Sequence, residues 1–400
     1  MISETRMLTV DADGHVLEPR DTWEKYLEPE LRDRAIRIAR DEQGIEVLLV
    51  DGRPHLGLRG RLAALGGIGM DTEDLMSVGR LSYEDGCPRG GYDPAARLEV
   101  MDGESIDIAL LYPTIGIAWE GLVGDAKLAT AYCRAYNRWI VDFCARDVRR
   151  LVPIAHICLM DPEGAVDEVK RARLAGCAGV YLSPDPASRG GRQFDDPDLA
   201  RFWETVQELD MPIAFHVVAR SNSMLAPWLG GREDGASRGK LAMPVGQTVF
   251  AFTFLALDVM AAFTSMMTRG LFETYPRLRL AVLEAGSNWI TAWLDRLDHK
   301  FEVMRPLSSL KLQPSEYFKR QCLISAEPDE SITAQIVEHL GADYFVWASD
   351  YPHIDASVNV VGEIRKKIAS LPVESQRKVL GDNALRFYGI APPAASPHPS

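Results

Sequence analysis

Short, almost wholly apolar runs recur along the chain at Met7–Val10, Ile106–Leu111, Val152–Ile157, Gly179–Leu182, Ile213–Val217, Leu278–Leu283, Leu323–Ser325 and Phe345–Ala348. Runs this short and continuous suit strands buried on both faces, the condition of a parallel sheet. Between them lie helical patterns such as "LATAYCRAYNRWIVDFCARD", "PEGAVDEVKRARLAG" and "DLARFWETVQELD". In the second, Ala165, Val166, Val169 and Ala172 recur at the spacing of one helix face, and Asp161-Pro162 and Gly176 supply start and stop signals. About eight such units in 400 residues predict an α/β fold, a distorted (β/α)8 TIM barrel. An open doubly wound sheet is the runner-up, but no G-x-G-x-x-G follows the first strand.

Two segments break the repeat. In an N-terminal insertion over about 35–92, "AIRIARDEQGIEVLLVDGRP" alternates like a β-hairpin turning near Gln43-Gly44, and Gly-rich irregular chain follows. The second is a Gly- and Ser-rich loop insertion over about 220–246. Both leave the C-terminal ends of strands, where barrel enzymes build active sites, so both are expected to be lids or binding loops. The barrel is read as a single domain over 1–390, and the tail "APPAASPHPS", 391–400, as disordered.

The charge balance narrows the function classes. A formal net charge of −13 argues against a nucleic-acid footprint, which needs clustered Lys and Arg. No apolar run approaches the roughly 20 residues of a membrane span. The opening "MISETRMLTV" lacks a basic-then-apolar secretory pattern. The 6 cysteines are scattered with no Cys-x-x-Cys pair, which fits buried thiols in a reducing compartment. A cytoplasmic protein acting on a small molecule, with no nucleic-acid or membrane partner, is the expectation.

Polar residues close the predicted strands. The first ends on Asp13 and His15, the fifth on His216 in "IAFHVV", the sixth on Glu284 in "AVLEAG" and the eighth on Asp350 in "FVWASDYPH". In a barrel these ends converge, and a mixed nitrogen and carboxylate set suits zinc, manganese or iron. A bound ion of this kind lowers the pKa of its water to about 7, giving a nucleophile at neutral pH. Several buried charges without an ion would each need a separate partner. His353, on the loop after Asp350, is placed to reach substrate or metal, and His156, late in the third strand, substrate or core. Arg220 could pair a substrate carboxylate through its planar fork. Glu18 stands behind the first pair or at a helix start, and Asp11 is read as fixing the strand end by hydrogen bonds behind the ligands.

The order "DADGHVLEP", "GYDPAARLEVMDGESIDIALLYP", "AYNRWIVDFC", "RRLVPIAHICLMDPEGAVDEVKRARLAGCAGVYLSP", "IAFHVV", "GLFETYPRLRLAVLEAGSNWI" and "WASDYPHIDAS" resembles the amidohydrolase superfamily. More narrowly it resembles the amidohydrolase-2 branch typified by aminocarboxymuconate-semialdehyde decarboxylase, from about Leu8 to Tyr388. The resemblance implies a distorted (β/α)8 barrel and a divalent metal, zinc or manganese by default, held by Asp13, His15, His216 and Asp350. Asp350 would double as a proton acceptor. It implies hydrolysis or non-oxidative decarboxylation of a small carboxylated substrate, aromatic or not, and a homo-oligomer.

Two departures stand out. The family's H-x-H reads Asp13-Gly14-His15, and its later proton-transferring H-x-G histidine reads Glu284-Ala285-Gly286. Glu284 is therefore expected as the general acid/base. One alternative is a dinuclear iron or iron–manganese oxygenase, with Glu284 and His353 as further ligands. Another is a catalytically inactive barrel acting as a subunit or binder.

Overall fold

The computed structural model describes residues 7–217, 228, 238–241 and 245–392. The first strand is β1 (Val10–His15). An insertion follows with β2 (Arg37–Arg40), β3 (Glu46–Val50) and β4 (Arg53–Pro54). Then come β5 (Ile108–Tyr112), β6 (Leu151–His156), β7 (Gly179–Leu182) and β8 (Ile213–Phe215). The last three are β9 (Leu280–Val282), β10 (Cys322–Ala326) and β11 (Phe345–Trp347). The sheet order β1-β5-β6-β7-β8-β9-β10-β11 makes the parallel (β/α)8 barrel expected from the sequence, with every barrel strand but β1 on one of the apolar runs. The hairpin is present as well: β2 and β3 pair antiparallel, Arg40 opposite Glu46, with β4 added on the other side of β3.

Two apolar layers hold the barrel. Val10, Ala12, Ile108, Leu110, Ile154 and Tyr181 belong to the interior cluster, which Phe387 and Tyr388 of the last helix join. Ile140, Val169, Phe202, Phe263, Phe318 and Ile364 belong to the outer cluster, where helices cover the strands. Ile36, Leu48 and Val50 of the insertion, with Trp23 just before it, pack with Leu128 and Tyr132 of the Ala126–Cys144 helix.

β1 departs from the expected Met7–Val10. It starts at Val10 and runs through the polar residues to His15, all six residues buried. Its ladder to β5 pairs Asp11 with Ala109 and Gly14 with Leu111, so two residues of β1 lie against one of β5. This bulge reverses the alternation of faces. Val10 and Ala12 face the interior, Asp11 turns outward, and beyond the bulge Asp13 and His15 face inward.

The seam between β11 and β1 closes at the same level. Asp350 N donates to Asp13 O at 3.0 Å, and His15 N donates to Tyr351 O at 2.7 Å. Asp11 locks it, accepting from Ser349 N at 2.9 Å and Ser349 Oγ at 2.6 Å. A Cβ at Gly14 would lie 2.5 Å from Arg97 Nη2 and 2.6 Å from Asp11 Oδ2, so any larger residue there would have to displace that buried pair.

The insertion reaches the same end of the barrel. Ile68 N donates to Pro352 O at 3.2 Å, just past β11. Ser77 pairs with Leu241, and Arg238 donates to Gly79 O at 2.9 Å. The described part of the second insertion therefore rests on the first. Most of the 220–246 loop, Arg220 and residues 393–400 of the tail lie outside the described residues.

One reading is corrected. The helical stretch Val245–Thr268 is long and apolar enough, by length and composition, to cross a membrane. Polar interruptions such as Gln247, Thr253 and Asp258 hid it as an apolar run. Its second half anchors to the barrel through Val259, Ala262, Phe263, Met266 and Met267, all buried.

Candidate metal centre

Four side chains from four strand ends converge at the top of the barrel. His15, His216, Glu284 and Asp350 each offer a ligand atom, all within 4.8 Å of one another. Both imidazoles are oriented by the backbone: His15 Nδ1 lies 2.9 Å from Pro113 O, and His216 Nδ1 lies 2.7 Å from Val217 O. A ring that donates Nδ1–H to a carbonyl presents the lone pair of Nε2 to the centre, the arrangement of a metal-ligating histidine. Asp13 lies against both rings, 3.4 Å from His15 Nε2 and 3.6 Å from His216 Nε2. Glu284 Oε2 is 2.7 Å from His216 Nε2, and Asp350 Oδ1 is 3.7 Å from His15 Nε2. Glu284 and Asp350 both adopt left-handed backbone, φ 45° and 53°. That conformation is uncommon outside glycine and gathers where a site demands an orientation.

The electrostatics are those of acids and imidazoles crowded without enough positive charge. Burial, with Glu284 and Asp11 adding to it, pushes Asp13 up to about 8. Burial also drives Asp350 well above the carboxylate range, Glu284 adding to it. Against burial, the Asp13 and Glu284 carboxylates hold His216 up to about 9, while burial holds His15 well below its ordinary value. Both Asp13 oxygens and His15 Nε2 are buried without a hydrogen-bond partner among the described residues, while His216 Nε2 and Asp350 Oδ1 have close ion-pair contacts with Glu284 and His353. A divalent cation would answer both facts, since it would take those atoms as ligands and supply the charge the acids lack.

The Amidohydrolase family model Amidohydro_2 matches residues 10–390. The chain is a member of that family. Among curated proteins this amidohydrolase is similar to the 2-amino-3-carboxymuconate-6-semialdehyde decarboxylase of Dictyostelium discoideum. The two are 22% identical over 75% of this chain and 78% of that one. Among solved structures it is similar to an amidohydrolase of Mycobacterium avium subsp. paratuberculosis K-10, with TM-score 0.78, 22% identity and coverage of 96% and 100%. It is also similar to the 5-carboxyvanillate decarboxylase of Novosphingobium aromaticivorans, solved with manganese and 4-hydroxy-3-methoxy-5-nitrobenzoic acid. There the TM-score is 0.65 and the identity 21%, with coverage of 96% and 97%.

Other expected residues fall around this centre in different ways. His353 joins it directly, its Nδ1 2.6 Å from Asp350 Oδ1 and its Nε2 3.0 Å from Thr114 Oγ1. His156 does not; it ends β6, two strands from both β1 and β8, and pairs with Glu120. Glu18 lies behind the centre and accepts from Thr114 N, Ile115 N and Gly116 N at 3.3, 2.8 and 3.0 Å, fixing the turn that carries Thr114. Thr114, Glu120 and Arg97 were not foreseen. Arg97 donates to His15 O at 2.7 Å from a helix, where its sequence reads as an ordinary solvated arginine.

A pH dependence follows for this amidohydrolase. An incoming cation must displace a proton from His216, held to about 9, and from Asp13, held to about 8. Manganese(II) affinity is therefore expected to rise from pH 6 to pH 9, with proton release on binding. Titration calorimetry in two buffers of different ionisation enthalpy measures both, and a flat affinity across that range would contradict the assignment.

Proposed function

We propose that this amidohydrolase is a manganese-dependent, non-oxidative decarboxylase of small aromatic carboxylates. The observation that carries the reading is the convergence of His15, His216, Glu284 and Asp350, joined by Asp13, in a family member whose curated relative is a decarboxylase. A set this rich in carboxylate favours manganese over zinc, and manganese is present in structural neighbours. Manganese bound here would orient the substrate carboxylate and stabilise the electron pair left behind as carbon dioxide departs.

The chain's own groups do the rest. His15 and His216 contribute neutral Nε2 atoms locked by their backbone bonds, and Asp350 and Asp13 balance the charge. Glu284, with 18% of its side chain exposed, is the most open of the four and faces the entering substrate. As the carbon–carbon bond breaks, the pair stays on the ring carbon and takes a proton from Glu284, which regains one from solvent. His353, tied to Thr114, steadies Asp350.

The test is direct. Protein stripped by chelator and reloaded with manganese is incubated with 5-carboxyvanillate and a panel of benzoates, in air and under nitrogen, and carbon dioxide is measured. Equal release in both atmospheres, lost on chelation and restored by manganese, is expected. Turnover that requires oxygen would overturn the reading in favour of the oxygenase.

A further inference from the structure

A second group of buried polar side chains adjoins the centre, and the steps above leave it unused. The His156 ring, at the end of β6, is surrounded by Tyr181 at 4.9 Å, Trp119 at 5.3 Å and Tyr136 at 6.3 Å between ring centroids. Its Nε2 lies 2.6 Å from Glu120 Oε1. Its backbone is pinned on both sides by Asn137, which accepts from His156 N at 2.8 Å and donates to His156 O at 3.1 Å. These rings and Glu120 are each no more than 3% exposed.

Trp119 Nε1, Tyr136 OH, Tyr181 OH, His156 Nδ1 and Glu120 Oε2 nevertheless all lack a hydrogen-bond partner among the described residues. Ser183 and Cys158 approach Tyr181 and Glu120 without hydrogen-bonding geometry. Each buried polar group left unpaired costs about 1–3 kcal/mol. Several gathered around one ring, rather than scattered singly, mark a place prepared for a polar guest. The group is also continuous with the metal centre, because the Tyr181 ring stands 6.4 Å from that of His216.

We propose that the His156 cluster is the specificity subsite of the reaction proposed above, on which this inference rests, and that it takes a ring hydroxyl of the substrate. The donor chemistry selects that group. The Trp119 indole only donates, a Glu120 carboxylate oxygen only accepts, and the two tyrosine hydroxyls do either. A hydroxyl satisfies both kinds at once. A second carboxylate would meet the charge of Glu120, and a bare C–H would leave every partner unpaired. Sites built to bond a hydroxyl reject the analogue lacking it far more strongly than apolar pockets reject a missing methylene.

Two measurements test this. In the first, kcat/KM is determined for benzoate and for its 3- and 4-hydroxy derivatives, with the wild type, Tyr181→Phe and Trp119→Phe. The wild type is expected to favour a hydroxybenzoate over benzoate by at least about tenfold, and each variant to shrink that ratio severalfold. In the second, binding of phenol and of benzene to the manganese-loaded protein is compared by ligand-observed NMR, with thermal melts confirming that the variants fold. Phenol binding that weakens in Tyr181→Phe supports the subsite even if no acid loses carbon dioxide, and then only the decarboxylase reading fails. Decarboxylation with an unchanged hydroxyl ratio in both variants, and no preference for phenol, overturns the subsite alone.

Discussion

His216→Ala is expected to lower manganese affinity more than about 100-fold and turnover by roughly three orders of magnitude. Loss of a hydrogen-bonding partner behind a ligand typically costs 10–100-fold in affinity, and loss of the ligand itself costs more. His216 is both a proposed ligand and the one imidazole that the acids hold in its charged form, through Asp13 at 3.6 Å and Glu284 at 2.7 Å. Without it Asp13, pushed up by burial and no longer facing a charged imidazole, keeps its proton more firmly, which opposes metal binding further. Metal content by elemental analysis and carbon dioxide release measure the two losses. His216→Asn, which fills more of the space, separates a misfolded protein from one that is folded and metal-free. A variant that keeps its metal would remove His216 from the donor set.

Asp11→Ala is expected to destabilise the fold by about 3–5 kcal/mol and to lower the thermal midpoint by roughly 4–6 °C. Asp11 is fully buried, accepts both Ser349 N and Ser349 Oγ across the β1–β11 seam, and balances the buried Arg97. Its removal leaves those donors unsatisfied and a guanidinium without a counter-charge. Arg97 also donates to His15 O, so the loss reaches the metal centre through the backbone of a proposed ligand. Asp11→Asn retains an acceptor oxygen and is expected to lose about half as much. Thermal melts with and without manganese check this, and a midpoint within a degree or two of wild type would show that the seam is held elsewhere.

Much of the architecture was legible because it rests on local patterning. Each barrel strand after β1 is a short apolar run between helical repeats, and that alternation admits few folds other than a barrel in 400 residues. His15, His216, Glu284 and Asp350 could be singled out because each closes such a run, and strand ends in a barrel converge. His156 was legible as a polar residue late in a strand, but its partners were not. Glu120 and Trp119 come from an irregular loop and Tyr136 from a helix face, and no spacing relates them.

The stretch Asp11-Ala12-Asp13-Gly14-His15 shows where sequence stops and tertiary structure begins. Alternation along a regular strand places Asp11, Asp13 and His15 on one face, crowding like charges. By itself the sequence determined that this strand ends on potential ligands and that the chain folds as a barrel. The bulge against β5 decided that Asp11 turns outward to Ser349 and Arg97 while Asp13 and His15 turn inward to the metal centre. Register across a sheet is set by a partner strand about a hundred residues away and by the fit of Gly14 beneath Arg97. Neither is encoded in the local period of the chain, so only the closed barrel could assign these acids their separate work.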